Sequence, residues 1–90
     1  MAYKVVIEDP HIWKKDCRAI PHDRLLHILR KIRGLAEDPW APNIQVQQLK
    51  EYPLADFRLR IGDYRVLFDK DEETKTIMLF RVLHRSKSYR

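Results

Sequence analysis

The stretch FRLRIGDYRVLF, residues 57–68, alternates apolar and polar residues on both sides of a Gly-Asp pair. Two alternating runs joined by two residues, with glycine at the first central position, predict a β-hairpin with a tight turn. Such a turn fixes the register, so Arg60 is expected directly opposite Arg65. One face of the hairpin then carries the aromatic and branched residues, and the other carries Arg58, Arg60 and Arg65. Because like charges in opposed positions are destabilising, this arginine face needs an explanation.

The residues before the hairpin predict one strand and two helices. Tyr3 to Glu8 is a β-rich run, and Asp9 followed by Pro10 is typical of a helix start. This first helix should stop before Pro21, and a second helix should follow with Asp23 as a possible cap. The buried stripe of the first helix comprises Trp13, Cys17 and Ile20. In the second helix, apolar residues recur at helical spacing at Leu25, Ile28, Leu29, Ile32, Leu35 and Ala36. The water-facing positions of that helix are Arg24, Arg30, Lys31 and Arg33.

The remaining segments complete an α+β domain. A proline-punctuated loop over residues 38–43 precedes a brief extended stretch from Gln45 to Leu49. The last strand, Thr76 to Leu83, is apolar on both faces apart from Arg81, which predicts a central position in the sheet. We therefore expect a single domain over residues 1–90: an N-terminal strand, a helical hairpin and a three-stranded antiparallel meander. The floor beneath the helices comprises Phe57, Leu59, Ile61, Val66 and Phe68, and the arginine face is left open to solvent.

Composition limits the class of protein and of partner. The 90 residues carry a net charge of +5, which favours an anionic partner. A single cysteine, Cys17, permits no internal disulfide and suits a reducing cytosol. No apolar run approaches the roughly 20 residues that span a membrane, and the N-terminus lacks signal-peptide features, so a soluble cytoplasmic protein without a membrane partner is expected. His11, His22 and His27 show no metal-ligand spacing with Cys17, so neither a metal nor a cofactor is expected.

Two segments together resemble a known family of toxins. LKEYPLADFRLRIGDYRVLF, residues 49–68, and the ending VLHRSKSYR, residues 82–90, resemble the RelE/ParE superfamily of bacterial and archaeal toxins. The resemblance implies the toxin of a type II toxin–antitoxin system. It also implies a cognate antitoxin that wraps over the toxin, with operator DNA bound only by the toxin–antitoxin complex. The basic residues resemble those of the RelE branch, whose members cut translated messenger RNA inside the ribosomal A site.

The resemblance assigns a role to each basic position. Arg58 and Arg60 match the two basic strand positions of the RelE branch, where the bacterial pattern has lysines. Arg65 matches the arginine after the turn, and Arg85 and Tyr89 match the arginine and tyrosine near the C-terminus. The implied reaction is metal-independent attack of a 2′-hydroxyl on the adjacent phosphate.

This reaction needs a base, an acid and cations around the phosphorane. We expect Arg65 and Arg85 to stabilise the charge, and Arg60 opposite Arg65 to grip one phosphate with it. Proton transfer is left to His84 or Tyr89, because arginine stays protonated, and stacking on a base is the alternative role for Tyr89. The expected RNA contacts are Arg58, Arg60, Arg81 and Lys87, with a structural ion pair as the alternative for Arg81.

Other functions stay open at this point. A ParE-like inhibitor of DNA gyrase would share the fold without needing phosphate chemistry. An inactive, basic RNA-binding relative would bind RNA with steep salt dependence and leave it intact. The arginine face would then only guard an edge strand against aggregation.

Overall fold

The computed structural model describes residues 2–39 and 41–87, and these form an α+β fold, as expected. The helices are α1, Pro10–Arg18, and α2, His22–Glu37. The strands are β1, Lys4–Ile7; β2, Val46–Gln48; β3, Phe57–Ile61; β4, Tyr64–Asp71; and β5, Thr76–His84. A short 3-10 helix, Arg85–Lys87, follows β5. Neither α1 nor α2 has the length and apolar content that a bilayer-crossing helix needs.

The described strands form one sheet in the order β1-β5-β4-β3-β2. β1 lies parallel to β5, with Lys4 beside Thr76, whereas the other pairs are antiparallel. The prediction of a central last strand is confirmed, since β5 has a neighbour on each side. The expected three-stranded meander gains a fourth strand, because β2 pairs with β3 and places Val46 opposite Leu59.

The hairpin has the register that its sequence predicts. Arg60 lies opposite Arg65, and Ile61 lies opposite Tyr64. Gly62, at the first central position of the turn, has a φ of 57°, in the left-handed region that glycine enters without steric cost. The positive φ of the turn therefore explains why glycine occupies position 62. The register explains why the arginines lie on one face of the hairpin.

The helices pack on the apolar face of the sheet, as expected. Four of the five predicted floor residues are buried, and Phe57 packs against them in a partly buried position. The helical side of the core includes Trp13, Ile20, Ile28, Ile32, Leu35 and Ala36. Burial of each large apolar side chain of this kind contributes about 1.5–3 kcal/mol, so this layer is a main source of the stability of the fold.

The two helix starts differ from each other. Asp9 caps α1 as expected, accepting hydrogen bonds from the backbone N–H groups of His11 at 3.1 Å and Ile12 at 3.3 Å. The expectation that Asp23 caps α2 is wrong. This helix begins at His22 after Pro21, without a side-chain cap, and Asp23 lies in its first turn. A carboxylate there still interacts favourably with the helix dipole.

One residue of the predicted α2 stripe lies outside the core. Leu29 is 44% exposed, because Ile28 and Ile32 fill the positions directed at the sheet. The apolar spacing located the helix correctly but included one residue at the edge of the buried stripe.

The arginine face is less open than expected. Arg65 is only 8% exposed, and Leu67, two residues further along the same face, is fully buried. The connection between β2 and β3 reaches this face, since the Asp56 N–H donates to Asp69 Oδ1 at 2.6 Å. An alternating pattern cannot reveal such a contact between distant segments, and the expectation that this whole face is open to solvent is wrong.

Candidate active site

Four arginines gather where the hairpin turn meets the end of β5. Burial is the largest cause that lowers the pKa of the Arg65 guanidinium below its ordinary value. The positive charges of its neighbours lower it further, and these neighbours are Arg58, Arg60 and Arg85. A guanidinium close to three like charges is stabilised when an anion binds beside it. We call Arg65 and these three neighbours the arginine cluster.

Arg65 is the anchored member of the cluster. Its Nη1 donates to the carbonyl oxygens of Gly62 at 2.9 Å and Tyr64 at 3.0 Å. Its Nε and Nη2 make no hydrogen bond within the described chain, where no fully buried side-chain nitrogen or oxygen lacks a partner. These two donors therefore reach the surface. The turn holds one side of the guanidinium and leaves the other side to meet a ligand.

Arg58 and Arg60 differ in how they are held. Arg58 donates from Nε to Gln47 Oε1 at 3.0 Å, and its Nη2 also contacts that oxygen. β2 thus orients Arg58 through a cross-strand pair. Arg60 is exposed and forms no ion pair with residues 2–39 or 41–87. It is therefore available to an incoming anion.

Asp63 ties Arg85 to the hairpin turn. The Arg85 backbone N–H donates to the Asp63 carbonyl at 2.7 Å, and Arg85 Nε lies 3.7 Å from Asp63 Oδ1. Sequence reasoning missed this role, although Asp63 is the second residue of the Gly-Asp turn. The turn thus positions a residue that comes from a different part of the chain.

His84 lies on the helical face of the sheet, where it shares a cavity with α1, rather than on the arginine face. It is opposite Tyr64, and the two rings meet edge to face with centroids 5.4 Å apart. The Ser86 backbone N–H donates to His84 Nδ1 at 3.2 Å, and Ser86 Oγ lies 3.0 Å from the same nitrogen. Because Nδ1 accepts, a neutral His84 carries its proton on Nε2. In this arrangement Nε2 can donate a hydrogen bond but cannot take a proton.

Arg81 points into an ion pair rather than into the cluster. Its Nε and Nη2 donate to the two carboxylate oxygens of Asp16 at 2.7 and 2.8 Å, and the Val82 N–H also donates to Asp16 at 3.2 Å. The hydrogen bonds to Asp16 raise the pKa of Arg81 above its ordinary value. The structural alternative for Arg81 is confirmed, whereas an RNA contact by Arg81 stays a prediction.

The last two predicted residues are less informative. Lys87 is exposed at the end of the 3-10 helix and lines the same cavity as His84. Tyr89 lies outside the described residues. Across residues 2–39 and 41–87, no group of three or more His, Cys, Asp or Glu side chains is arranged to hold a metal ion.

Comparison with known protein families shows which family the chain belongs to. The family described as ParE toxin of type II toxin-antitoxin system, parDE, matches residues 6–89. No curated protein sequence matches the chain.

Solved structures of RelE toxins share the fold. The toxin–antitoxin complex RelBE2 of Mycobacterium tuberculosis matches with a TM-score of 0.78 and 25% identity, covering 97% of this chain and 95% of that one. The archaeal RelE–RelB complex of Pyrococcus horikoshii matches with a TM-score of 0.75 and 24% identity, covering 98% and 100%. A mutant of the E. coli toxin RelE in the free state matches with a TM-score of 0.68 and 20% identity, covering 98% and 88%.

Proposed function

The chain belongs to the RelE/ParE superfamily of type II toxin–antitoxin toxins, and from this premise we propose that it is a ribosome-dependent endoribonuclease that cleaves messenger RNA in the A site. The observation that carries the proposal is the arginine cluster, in which Arg60 is exposed and Arg65 keeps two donors at the surface. Opposed arginines cost stability in the free protein, and a bound phosphate offsets that cost.

Two members of the cluster stabilise the transition state, and the other two bind the substrate. When the 2′-hydroxyl attacks, negative charge grows on the equatorial oxygens of the phosphorane. Arg65, fixed by the turn, and Arg85, tied to Asp63, donate to these oxygens without reorganising. Arg58 and Arg60 hold the substrate phosphate before the reaction, through the paired donors that a guanidinium presents.

Proton transfer needs groups other than arginine. His84, with its proton on Nε2, donates a hydrogen bond to a phosphate oxygen or to the leaving 5′-oxygen. Removal of the 2′-hydroxyl proton then falls to Tyr89, whose phenolate accepts it and becomes a phenol, and the departing 5′-oxygen takes up a proton from water. The ribosome supplies part of the catalytic advantage by holding the message in a reactive geometry.

The proposal includes the partners and the setting of a toxin. A cognate antitoxin neutralises the chain, which is supported by the fold shared with RelE–RelB complexes. Operator DNA is bound by the toxin–antitoxin complex, and the toxin acts in the cytoplasm on ribosome-bound message. The reaction uses no metal and no cofactor.

The test is to map the 5′ ends of messenger RNA after brief induction of the toxin. A translated reporter and a copy without a start codon are compared in the same cells. Cuts in the translated copy at a fixed position within codons are expected, and Arg65→Ala should remove them. Arg33→Ala, which changes an exposed α2 arginine outside the cluster, is the matched control. Growth arrest with intact message would reject the nuclease.

Inhibition of DNA gyrase is the second candidate, favoured by the match to a ParE toxin family. Such an inhibitor binds a protein and has no need for an arginine cluster around a phosphate. A supercoiling assay with purified gyrase separates the two functions. An inactive RNA-binding relative would bind message with steep salt dependence and fail both assays.

A further inference from the structure

A second cationic pocket adjoins the arginine cluster on the helical side. This α2 cavity has a volume of about 160 Å³ and lies between α2 and the edge of β3. Its polar lining comprises His27, Lys31, Asn43, Gln45 and Arg60, and no carboxylate of the described chain contributes to it. His27 and Lys31 are one helical turn apart, so they project from the same face of α2.

Arg60 connects the cavity with the cluster. It lowers the pKa of Arg65 by its charge and also lines the α2 cavity. The Arg60 N–H donates to the Gln45 carbonyl at 2.9 Å, which fixes the cavity wall to β3. Residue 60 thus belongs to both places, with its side chain on the arginine face and its backbone at the cavity wall, so two anion-attracting places adjoin each other, as the repeating charge of a nucleic-acid strand requires.

The chemistry of the lining fits a phosphate group. Lys31 supplies a compact positive charge, and Asn43, whose side chain carries an amide, can add a neutral N–H donor. The volume equals that of roughly five water molecules in the liquid, enough for a phosphate but too small for a stacked nucleotide. The sequence alone does not mark His27 as part of this cavity, because its neighbours there come from distant segments.

We propose that the α2 cavity is a second phosphate subsite, which holds the RNA phosphate adjacent to the one in the arginine cluster. The proposal rests on the proposed function, since it assigns the cluster to RNA. It predicts the path of the RNA, which runs from the arginine face around the end of the hairpin to α2. A free phosphate ion has the same chemistry and is the alternative source of the ligand.

The test uses fluorescent 2′-O-methyl oligonucleotides, which lack the attacking hydroxyl and stay intact. A tetranucleotide with three phosphates can occupy both sites, whereas a dinucleotide with one phosphate occupies only the cluster. Lys31→Gln should weaken tetranucleotide binding about tenfold and reduce the slope of log affinity against log salt by about 0.7. Dinucleotide binding should stay unchanged, and His27→Gln should act in the same direction as Lys31→Gln. Circular dichroism spectra verify that each variant is folded.

Arg33→Gln is the control, since Arg33 is exposed on α2 and does not line the cavity. Equal effects of Lys31→Gln and Arg33→Gln on the tetranucleotide would overturn the subsite. Inorganic phosphate is titrated against the free toxin while the amide signals of residues 43–45 are followed by NMR. Saturation by phosphate without any dependence of the tetranucleotide on Lys31 would assign the cavity to the free ion and reject the RNA subsite. Lys31-dependent binding without message cleavage would reject the nuclease and keep the subsite.

Discussion

Arg85 and Asp63 are joined through the backbone, with the Arg85 N–H donating to the Asp63 carbonyl at 2.7 Å. The side-chain contact between them is longer, 3.7 Å, and both side chains are largely exposed. The position of Arg85 therefore depends on the main chain of the turn more than on an ion pair, because exposed pairs contribute only about 0–1 kcal/mol.

Asp63→Asn tests this division. The substitution keeps the backbone bond and removes the carboxylate whose charge raises the pKa of Arg65. We expect the free energy of unfolding to change by less than about 1 kcal/mol, measured by urea denaturation. Binding of the 2′-O-methyl tetranucleotide should become tighter, since the cluster becomes more positive. Weaker binding would mean that the carboxylate itself positions Arg85.

Arg65→Ala should slow cleavage strongly and leave the fold intact. The guanidinium is expected to stabilise the phosphorane, and loss of one such donor typically costs about 10²–10³ in rate. Stability should change little, because lost hydrogen bonds to Gly62 and Tyr64 are offset by relief of repulsion among like charges. Single-turnover cleavage on programmed ribosomes gives the rate, and antitoxin binding verifies the fold. Wild-type cleavage by this variant would exclude the arginine-cluster mechanism.

Tyr89→Phe and His84→Gln separate the two candidates for proton transfer. Removing a general base usually costs about 10²–10⁴ in rate, which is the loss expected for Tyr89→Phe. His84→Gln retains an N–H donor and should lose less than about tenfold, because His84 Nδ1 already accepts from Ser86. Both rates come from the same single-turnover assay. The reverse order of effects would assign proton transfer to His84.

Asp16→Ala should destabilise the protein without a direct effect on chemistry. Asp16 accepts from Arg81 at 2.7 and 2.8 Å and from the Val82 N–H at 3.2 Å. Hydrogen bonds to a charged group are each worth about 1.5–3 kcal/mol, and partial exposure of Arg81 reduces that value, so a loss of about 2 kcal/mol is expected. Asp16→Asn keeps an acceptor and should lose less. Urea midpoints of both variants and of Arg81→Gln give the comparison.

Glu72 gives the protein a defined sensitivity to acid. Hydrogen bonds from Lys70, and then from Tyr3, lower the pKa of Glu72 from 4.5 to about 2. The unfolded chain therefore binds this proton at higher pH than the folded protein, and stability falls as pH falls from about 4.5 towards 2. Urea unfolding at several pH values should show that Glu72→Gln removes part of this slope. Glu73→Gln, one residue further along the same loop, is the control.

The hairpin was predictable because the residues that specify it are close together in the sequence. Alternation over residues 57–68 and the Gly-Asp turn determine the register, and with it the opposition of Arg60 and Arg65. The buried floor was predictable for the same reason, since one side of the register is apolar.

Features that depend on distant segments were not predictable. Asp16 and Arg81 are 65 positions apart, and no local pattern marks them as partners. The contact of the β2–β3 connection with Asp69, and the meeting of His27 with Arg60 in one cavity, likewise follow from tertiary packing. The site residues were found where the hairpin or the family resemblance marked them, and Asp63 was missed because its partner Arg85 comes from another segment.

The parallel pairing of β1 with β5 bears on the toxin's own synthesis. A strand made first can join the sheet only after the last strand has left the ribosome, and the Asp16–Arg81 bond waits for the same moment. Closing such long loops makes folding late and cooperative. At a synthesis rate of about 5–20 residues per second, the nascent chain passes several seconds without a complete core. Under the proposed function, the arginine cluster is therefore incomplete until β5 and Arg85 have been made.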